Sequence, residues 1–126
     1  MGLGDWEAVR ASLAPDLAYH DHRNLGLGTL GRDAWVESLR ALSDLADELH
    51  VEPFCTLAWN RHGHVARTRQ FGTVAGGGPF ENVFIVVWLT DGDRISIIEV
   101  FDVDDAERAV ARFDELCTAA AAEESA

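Results

Sequence analysis

The chain has 126 residues, of which ten are basic and 22 acidic, and its formal charge at pH 7 is -12. This length is that of one domain, and a hydrophobic content of 48% is typical of a globular protein that buries a core without disulfide or metal cross-links. All the basic residues are arginines, and the acidic excess argues against a nucleic acid or an anionic membrane surface as a partner.

The sequence shows no sign of export or of a membrane segment. No apolar run approaches the roughly 20 residues that a spanning helix needs, and Met1 to Trp6 lack the positive start and apolar middle of a signal peptide. Cys55 and Cys117 lie far apart among apolar neighbours, as free packing thiols do. We therefore expect a cytoplasmic protein.

Helical spacing predicts two helices in the first half of the chain. Apolar residues recur at this spacing from Asp5 to Leu13, and Pro15 ends the helix. A short extended segment, Leu17 to Asp21, follows. The period of 3.6 residues returns from Arg32 to His50 and predicts the longer helix.

The apolar period then changes to two and predicts four strands in succession. They are Val51 to Trp59, His64 to Val74, Phe80 to Leu89 and Arg94 to Phe101. Short turns that contain glycine separate them, so we expect each neighbouring pair to form an antiparallel hairpin.

A last helix is predicted to start at Asp102, which is its expected N-cap. Residues 1–4 and 119–126 are expected to fray. Helices followed by strands and a final helix predict an α+β fold in one domain, residues 1–126, with the helices covering one face of the sheet. We expect the curved sheet to enclose a cone with one open end.

Three short motifs accompany this order of elements: Tyr19-His20-Asp21-His22, Gly31-Arg32-Asp33-Ala34-Trp35, and a last strand that ends in Glu99-Val100-Phe101-Asp102. With them the chain resembles, over nearly its whole length, the SnoaL-like polyketide cyclase family of the nuclear transport factor 2-like superfamily. The resemblance implies a cone-shaped (cystatin-like) mixed sheet wrapped around helices, and a homodimer formed through the sheet. The first helix of most members is missing here, as in a domain cut from a longer protein or a less fully covered cone.

The limonene epoxide hydrolase branch of that superfamily suggests site residues. There a Tyr and an Asn two residues apart hold a water, and a carboxylate on the last strand deprotonates it; Tyr19, Asp21 and Glu99 stand at the matching positions. Arg67 matches an Arg of that branch, but Arg69 stands where its acid should be. The epoxide hydrolase mechanism is therefore not adopted.

Strand alternation puts Glu99 on one face with Ile97 and Phe101, where an unpaired carboxylate is costly. We expect it to be protonated, hydrogen-bonded or matched by Arg67 or Arg69. The resulting pair is either the charged centre of a pocket or a structural ion pair.

The candidate catalytic residues are Glu99 as base, Tyr19 and Asp21 on the early strand, and Arg67 to stabilise an oxyanion. For Tyr19 and Asp21 the alternative is a strand that closes the mouth of the cone. The residues expected to contact the substrate are Arg69, His20, Phe71, Trp35, Ile97, Phe101 and Val86.

Two histidine pairs, His20 with His22 and His62 with His64, invite a metal-site interpretation, but no third ligand is evident and we expect neither a metal nor a cofactor. The leading hypothesis is an enzyme with an apolar pocket that performs acid–base chemistry, such as cyclisation or isomerisation, on a small hydrophobic molecule. The alternative is a non-catalytic ligand-binding or dimerisation module from a longer regulatory protein. The superfamily includes both kinds of protein, so the fold alone does not choose between them.

Overall fold

The computed structural model describes residues 5–23 and 28–124. The elements along these residues are α1 (Trp6–Ala11), β1 (Leu13–Asp21), β2 (Thr29–Leu30), α2 (Arg32–Asp44), β3 (Ala46–Asn60), β4 (Gly63–Val74), β5 (Pro79–Asp91), β6 (Arg94–Asp102) and α3 (Ala106–Glu124). No helix in these two ranges is long and apolar enough to cross a membrane.

The strands form one six-stranded sheet in the order β2-β1-β6-β5-β4-β3. β1 runs parallel to β6, whereas the other neighbours are antiparallel. The predicted α+β fold with a mixed sheet is thereby confirmed, and the four predicted strands are the meander β3 to β6. β3 is one edge of the sheet, and its pairing with β4 shifts register around Ala46, Pro53 and Thr56.

Alternation along the strands gives the sheet two apolar faces. One face, which we call the α2 face, carries Tyr19, Val86, Ile98 and Val100 and packs against Val36 of α2. The opposite face, which we call the α3 face, carries the cluster Val65, Ile85, Val87, Leu89, Phe101, Ala109 and Phe113, of which the last two belong to α3. The expectation that the helices cover a single face is wrong, because both faces of the sheet are apolar and each requires a helix to shield it from water.

The first helix begins as predicted but is shorter. The Asp5 carboxylate accepts a hydrogen bond from the Ala8 amide at 3.1 Å and caps α1, which ends at Ala11. Pro15 does not terminate a helix; it lies inside β1, where the pairing with β6 shifts register between Leu13 and Ala18. A proline without an N–H group is tolerated at such an interruption.

The second helix ends at Asp44 and not at His50, because the following residues pair with β4. Leu45, Ala46 and Leu49 fit helical spacing equally well, but long-range strand pairing overrides this local pattern.

The last helix begins at Ala106. Asp102 is not its N-cap, because it is the last residue of β6 and pairs with Phe84 of β5. The helix then continues to Glu124, beyond Ala119 where fraying was expected. An ion pair of 2.6 Å between Glu124 and Arg61 of the β3–β4 turn ties its end to the sheet. Residues 1–4, 125 and 126 lie outside the described residues.

Candidate functional site

A cavity of 310 Å³ lies between α2 and the α2 face of the sheet. Its apolar wall consists of Trp35, Leu39, Leu42, Val51, Phe84, Val86, Trp88, Ile98 and Val100. Its polar side chains are Tyr19, Arg23, Ser38, Thr68, Gln70 and Asn82. This volume is at the small end for ligand sites, and an apolar wall with a few polar groups suits a small, mainly hydrophobic molecule.

The wall follows from two sequence periods. Trp35, Leu39 and Leu42 recur at helical spacing and bring one side of α2 over the cavity. Val86 and Ile98 point to the same side because strand residues alternate, and they form the floor.

One wall carries a buried polar network centred on Asp21, whose side chain is 0% exposed. The Tyr19 hydroxyl donates to Asp21 Oδ2 at 3.2 Å. Arg23 donates from Nε to Oδ1 at 2.9 Å and from Nη2 to Oδ2 at 2.7 Å, a two-pronged pairing that fixes the guanidinium. Both carboxylate oxygens of Asp21 are therefore occupied.

This network fixes the charge states of its members. Burial, reinforced by the negative charge of Asp21, raises the pKa of Tyr19, so the phenol stays protonated. The hydrogen bonds to Asp21 raise the pKa of Arg23, which stays cationic. Tyr19 and Arg23 face the cavity as a neutral hydroxyl and as a cation that already has its counter-charge.

The structure places Glu99 on the α3 face, away from the cavity. Its carboxylate accepts hydrogen bonds from Arg112 Nε at 3.0 Å and Nη2 at 3.0 Å, and His22 Nε2 lies 2.6 Å from Oε1. Burial alone raises the pKa of Glu99, but the hydrogen bonds from Arg112 and His22 outweigh it and hold the pKa below its usual value. Glu99 is thus an ionised, paired carboxylate beneath α3.

The expected partners of Glu99, Arg67 and Arg69, do not reach it. Both are on β4, whereas Glu99 is on β6, and β5 lies between these two strands. Two strand spacings separate β4 from β6 by about 10 Å. Arg69 pairs instead with Glu52 at 3.6 Å and Glu81 at 3.5 Å. The contact of Arg67 is with the Cys55 sulfur, at 3.8 Å.

The remaining predicted site residues divide between the two faces. Trp35 and Val86 line the cavity. Ile97 and Phe101 pack against α3, and Phe71 lies beneath Arg69 with the guanidinium 4.1 Å from its ring centroid. The exposed His20 is hydrogen-bonded to Thr29 at 2.9 Å. The structure therefore does not bring Glu99, Tyr19 and Arg67 around one point, because they lie on opposite faces of the sheet or on distant strands.

Sequence reasoning did not single out Arg23, Gln70 or Asn82. Arg23 follows Tyr19 and Asp21 at a spacing of two, so strand alternation alone indicates their common side. No sequence pattern indicated that Arg112 contacts Glu99, because this contact depends on where α3 packs against the sheet.

The histidines do not converge on a metal site in the described ranges, where no three His, Cys, Asp or Glu side chains form a group that could hold an ion. The His20 and His22 rings lie 4.2 Å apart by centroid, and His22 stacks on Phe101 at 4.3 Å. These contacts, together with that to Glu99, account for the packing of His22.

Comparison with known proteins identifies the fold. No protein-family model matches the chain, and no curated protein does. Among solved structures, a nuclear transport factor 2-like protein of unknown function from Burkholderia pseudomallei is 24% identical, with 83% of this chain and 84% of that one covered and a TM-score of 0.60. A putative SnoaL-like polyketide cyclase from Jannaschia sp. is 14% identical over 78% of this chain and 72% of that one, also with a TM-score of 0.60.

A third similar structure, TerC co-crystallised with polyporic acid, is 18% identical, covers 85% of this chain and 86% of that one, and has a TM-score of 0.60. The chain has the nuclear transport factor 2-like fold, as its motifs indicated.

Proposed function

We propose that the protein is a ligand-binding domain for a small, mainly hydrophobic molecule, which it holds in the cavity between α2 and the sheet. One observation carries this proposal. The cavity wall is apolar, and the titratable side chains among its described lining residues, Tyr19 and Arg23, are both already bonded to Asp21.

Binding fits this geometry better than acid–base catalysis does. A general base needs a free lone pair within reach of the substrate. Asp21 has both oxygens engaged and no exposed side-chain surface, and Glu99 lies on the other face of the sheet. The acid–base hypothesis, with Glu99, Tyr19, Asp21 and Arg67 acting together, therefore has less support.

Two of the similar structures are consistent with a small-molecule role for this fold. One is described as a putative polyketide cyclase, and TerC was co-crystallised with polyporic acid. Similarity at this level extends to the fold alone, so the proposal depends on the cavity itself.

The proposal is tested with N-phenyl-1-naphthylamine, an uncharged aromatic probe whose fluorescence rises in apolar surroundings. We expect saturable binding to a single site. The substitution Leu39→Trp fills the cavity from α2 and should weaken binding more than about tenfold, or about 1.4 kcal/mol. The matched control is Ala41→Trp, which adds the same side chain on the exposed side of the same helix.

Equal binding by the wild type, Leu39→Trp and Ala41→Trp would place the probe elsewhere and refute the proposal. The homodimer through the sheet and the cytoplasmic location stay predictions.

A further inference from the structure

On β4, β5 and β6, the polar side chains of the cavity floor are gathered at one end. Two successive rows of paired strand residues are apolar, and the next two rows bring in polar groups. From the apolar end, the rows are Ile98 with Trp88, Val100 with Val86, Phe84 with Thr68, and Asn82 with Gln70. On β1, Tyr19 lies beside Ile98 of the first row, but its hydroxyl is already bonded to Asp21. A ligand that fills the cavity along this direction therefore meets mainly hydrocarbon at one end and unbonded amide groups at the other.

The polar end presents two amide side chains side by side. Gln70 and Asn82 are direct cross-strand partners on β4 and β5, and both line the cavity. Neither side-chain amide forms a hydrogen bond within residues 5–23 and 28–124, where Gln70 is half-buried and Asn82 is exposed. Each offers an N–H donor and a carbonyl acceptor, so together they match a group that both accepts and donates.

Among the described lining residues, the cation near this end, Arg23, is already paired. The Arg23 guanidinium lies 5.0 Å from the Phe84 ring centroid, above the third row of the floor. Its charge is matched by Asp21 at 2.7 Å, and the negative charge of Asp102 acts on it as well. In a protein with a net charge of -12, an anion gains no net attraction at this position.

From these observations we infer that the ligand is an uncharged amphipathic compound, with an apolar ring system against Trp88 and Ile98 and a carbonyl or carboxamide end at Gln70 and Asn82. This inference rests on the proposed binding function and adds the chemical class of the ligand. The cavity selects against the carboxylate of the same skeleton.

The test compares three head groups on one ring system by displacement of N-phenyl-1-naphthylamine: 2-naphthamide, 2-naphthoate and 2-methylnaphthalene. We expect 2-naphthamide to displace the probe at concentrations about tenfold lower than either of the others, as two additional hydrogen bonds would give. In Gln70→Leu, and separately in Asn82→Leu, the ratio between the displacing concentrations of 2-methylnaphthalene and 2-naphthamide, measured on the same variant, should fall towards one. Thr73→Leu, on the same strand but on the opposite face from Gln70, is the matched control and should keep the advantage.

Stronger or equal displacement by 2-naphthoate would overturn the inference, and so would equal displacement by all three compounds. In both cases the probe still binds and the proposed function stands. If the probe itself does not bind, the proposed function fails, and this inference fails with it.

Discussion

Asp21 and Glu99 are buried carboxylates that arginines hold on opposite faces of the sheet. Asp21 meets Arg23 two residues along the same segment, whereas Glu99 meets Arg112 on a helix that follows it in sequence. Removing one member of such a pair leaves the other without its counter-charge, which costs more than the pair itself contributes. Each carboxylate therefore contributes to the stability of the fold through its arginine partner.

Glu99→Gln tests the energetic cost of breaking the buried ion pair on the α3 face. We expect the substitution to lower the free energy of unfolding by about 2 kcal/mol at neutral pH, because charge-assisted hydrogen bonds become neutral ones. Urea unfolding measures the change. Glu115→Gln is the matched control: Glu115 binds the same Arg112, at 3.1 Å, but is exposed, so its loss should cost less than about 0.5 kcal/mol.

The penalty of Glu99→Gln should depend on pH. The pKa of Glu99 is lower in the folded protein than its ordinary value of 4.5. Its contribution is therefore fully present above the unfolded pKa and disappears as the pH falls through the folded one. The penalty should shrink at about pH 3, and an undiminished penalty there would mean that packing, not charge, holds Glu99.

The alternation of side chains along each single strand could be predicted from the sequence. It correctly grouped Glu99 with Ile97 and Phe101, and Tyr19 with Asp21. The sequence did not show which group faces the cavity, because that depends on which helix covers which face. For the same reason the cation beside Glu99 was expected from β4 and comes from α3.

Among the elements, α3 covers the apolar cluster of the α3 face. Phe113 is 2% exposed and packs among the sheet residues of that face. Phe113→Ala should lower the free energy of unfolding by about 3 to 5 kcal/mol, because it removes buried contacts and leaves a void. Thr118→Ala, on the exposed side of α3, should change it by less than about 0.5 kcal/mol.

Below its unfolding transition, Phe113→Ala should keep the probe affinity of the wild type, because the cavity lies on the other side of the sheet. Loss of probe binding by the folded variant would show that the two faces are coupled.

The long strands of the meander were predictable from the apolar period of two, and their hairpin turns from glycine. β2 has two residues, too few to carry a period, and it exists through its pairing with Tyr19 and His20. The end of α2 was missed for a related reason, since the pairing of Ala46 with Val74 joins distant parts of the chain.

On the scale of the whole molecule, the charge of -12 should make repulsion among carboxylates a general destabilising force. We expect the melting temperature to rise when NaCl is increased from about 20 mM to about 500 mM, where the screening length becomes a few ångströms. The variant Asp47→Asn/Glu107→Gln, which removes two exposed charges, should show a smaller rise. A melting temperature that falls with salt would mean that the attractive ion pairs outweigh the repulsion.

The irregular pairing of β3 with β4 also bears on how the protein behaves in a crowded solution. An outer strand of 15 residues with exposed Phe54 and Trp59 is a template on which a strand from another molecule can add, as in fibril growth. Pro53 has no N–H group to offer an incoming strand, and three register shifts interrupt the regular pairing of β3, as bulges on edge strands do. The carboxylates of Asp47, Glu48 and Glu52 on the same strand should repel an identical strand laid beside it, so we expect the chain to resist self-propagating aggregation at its longest strand.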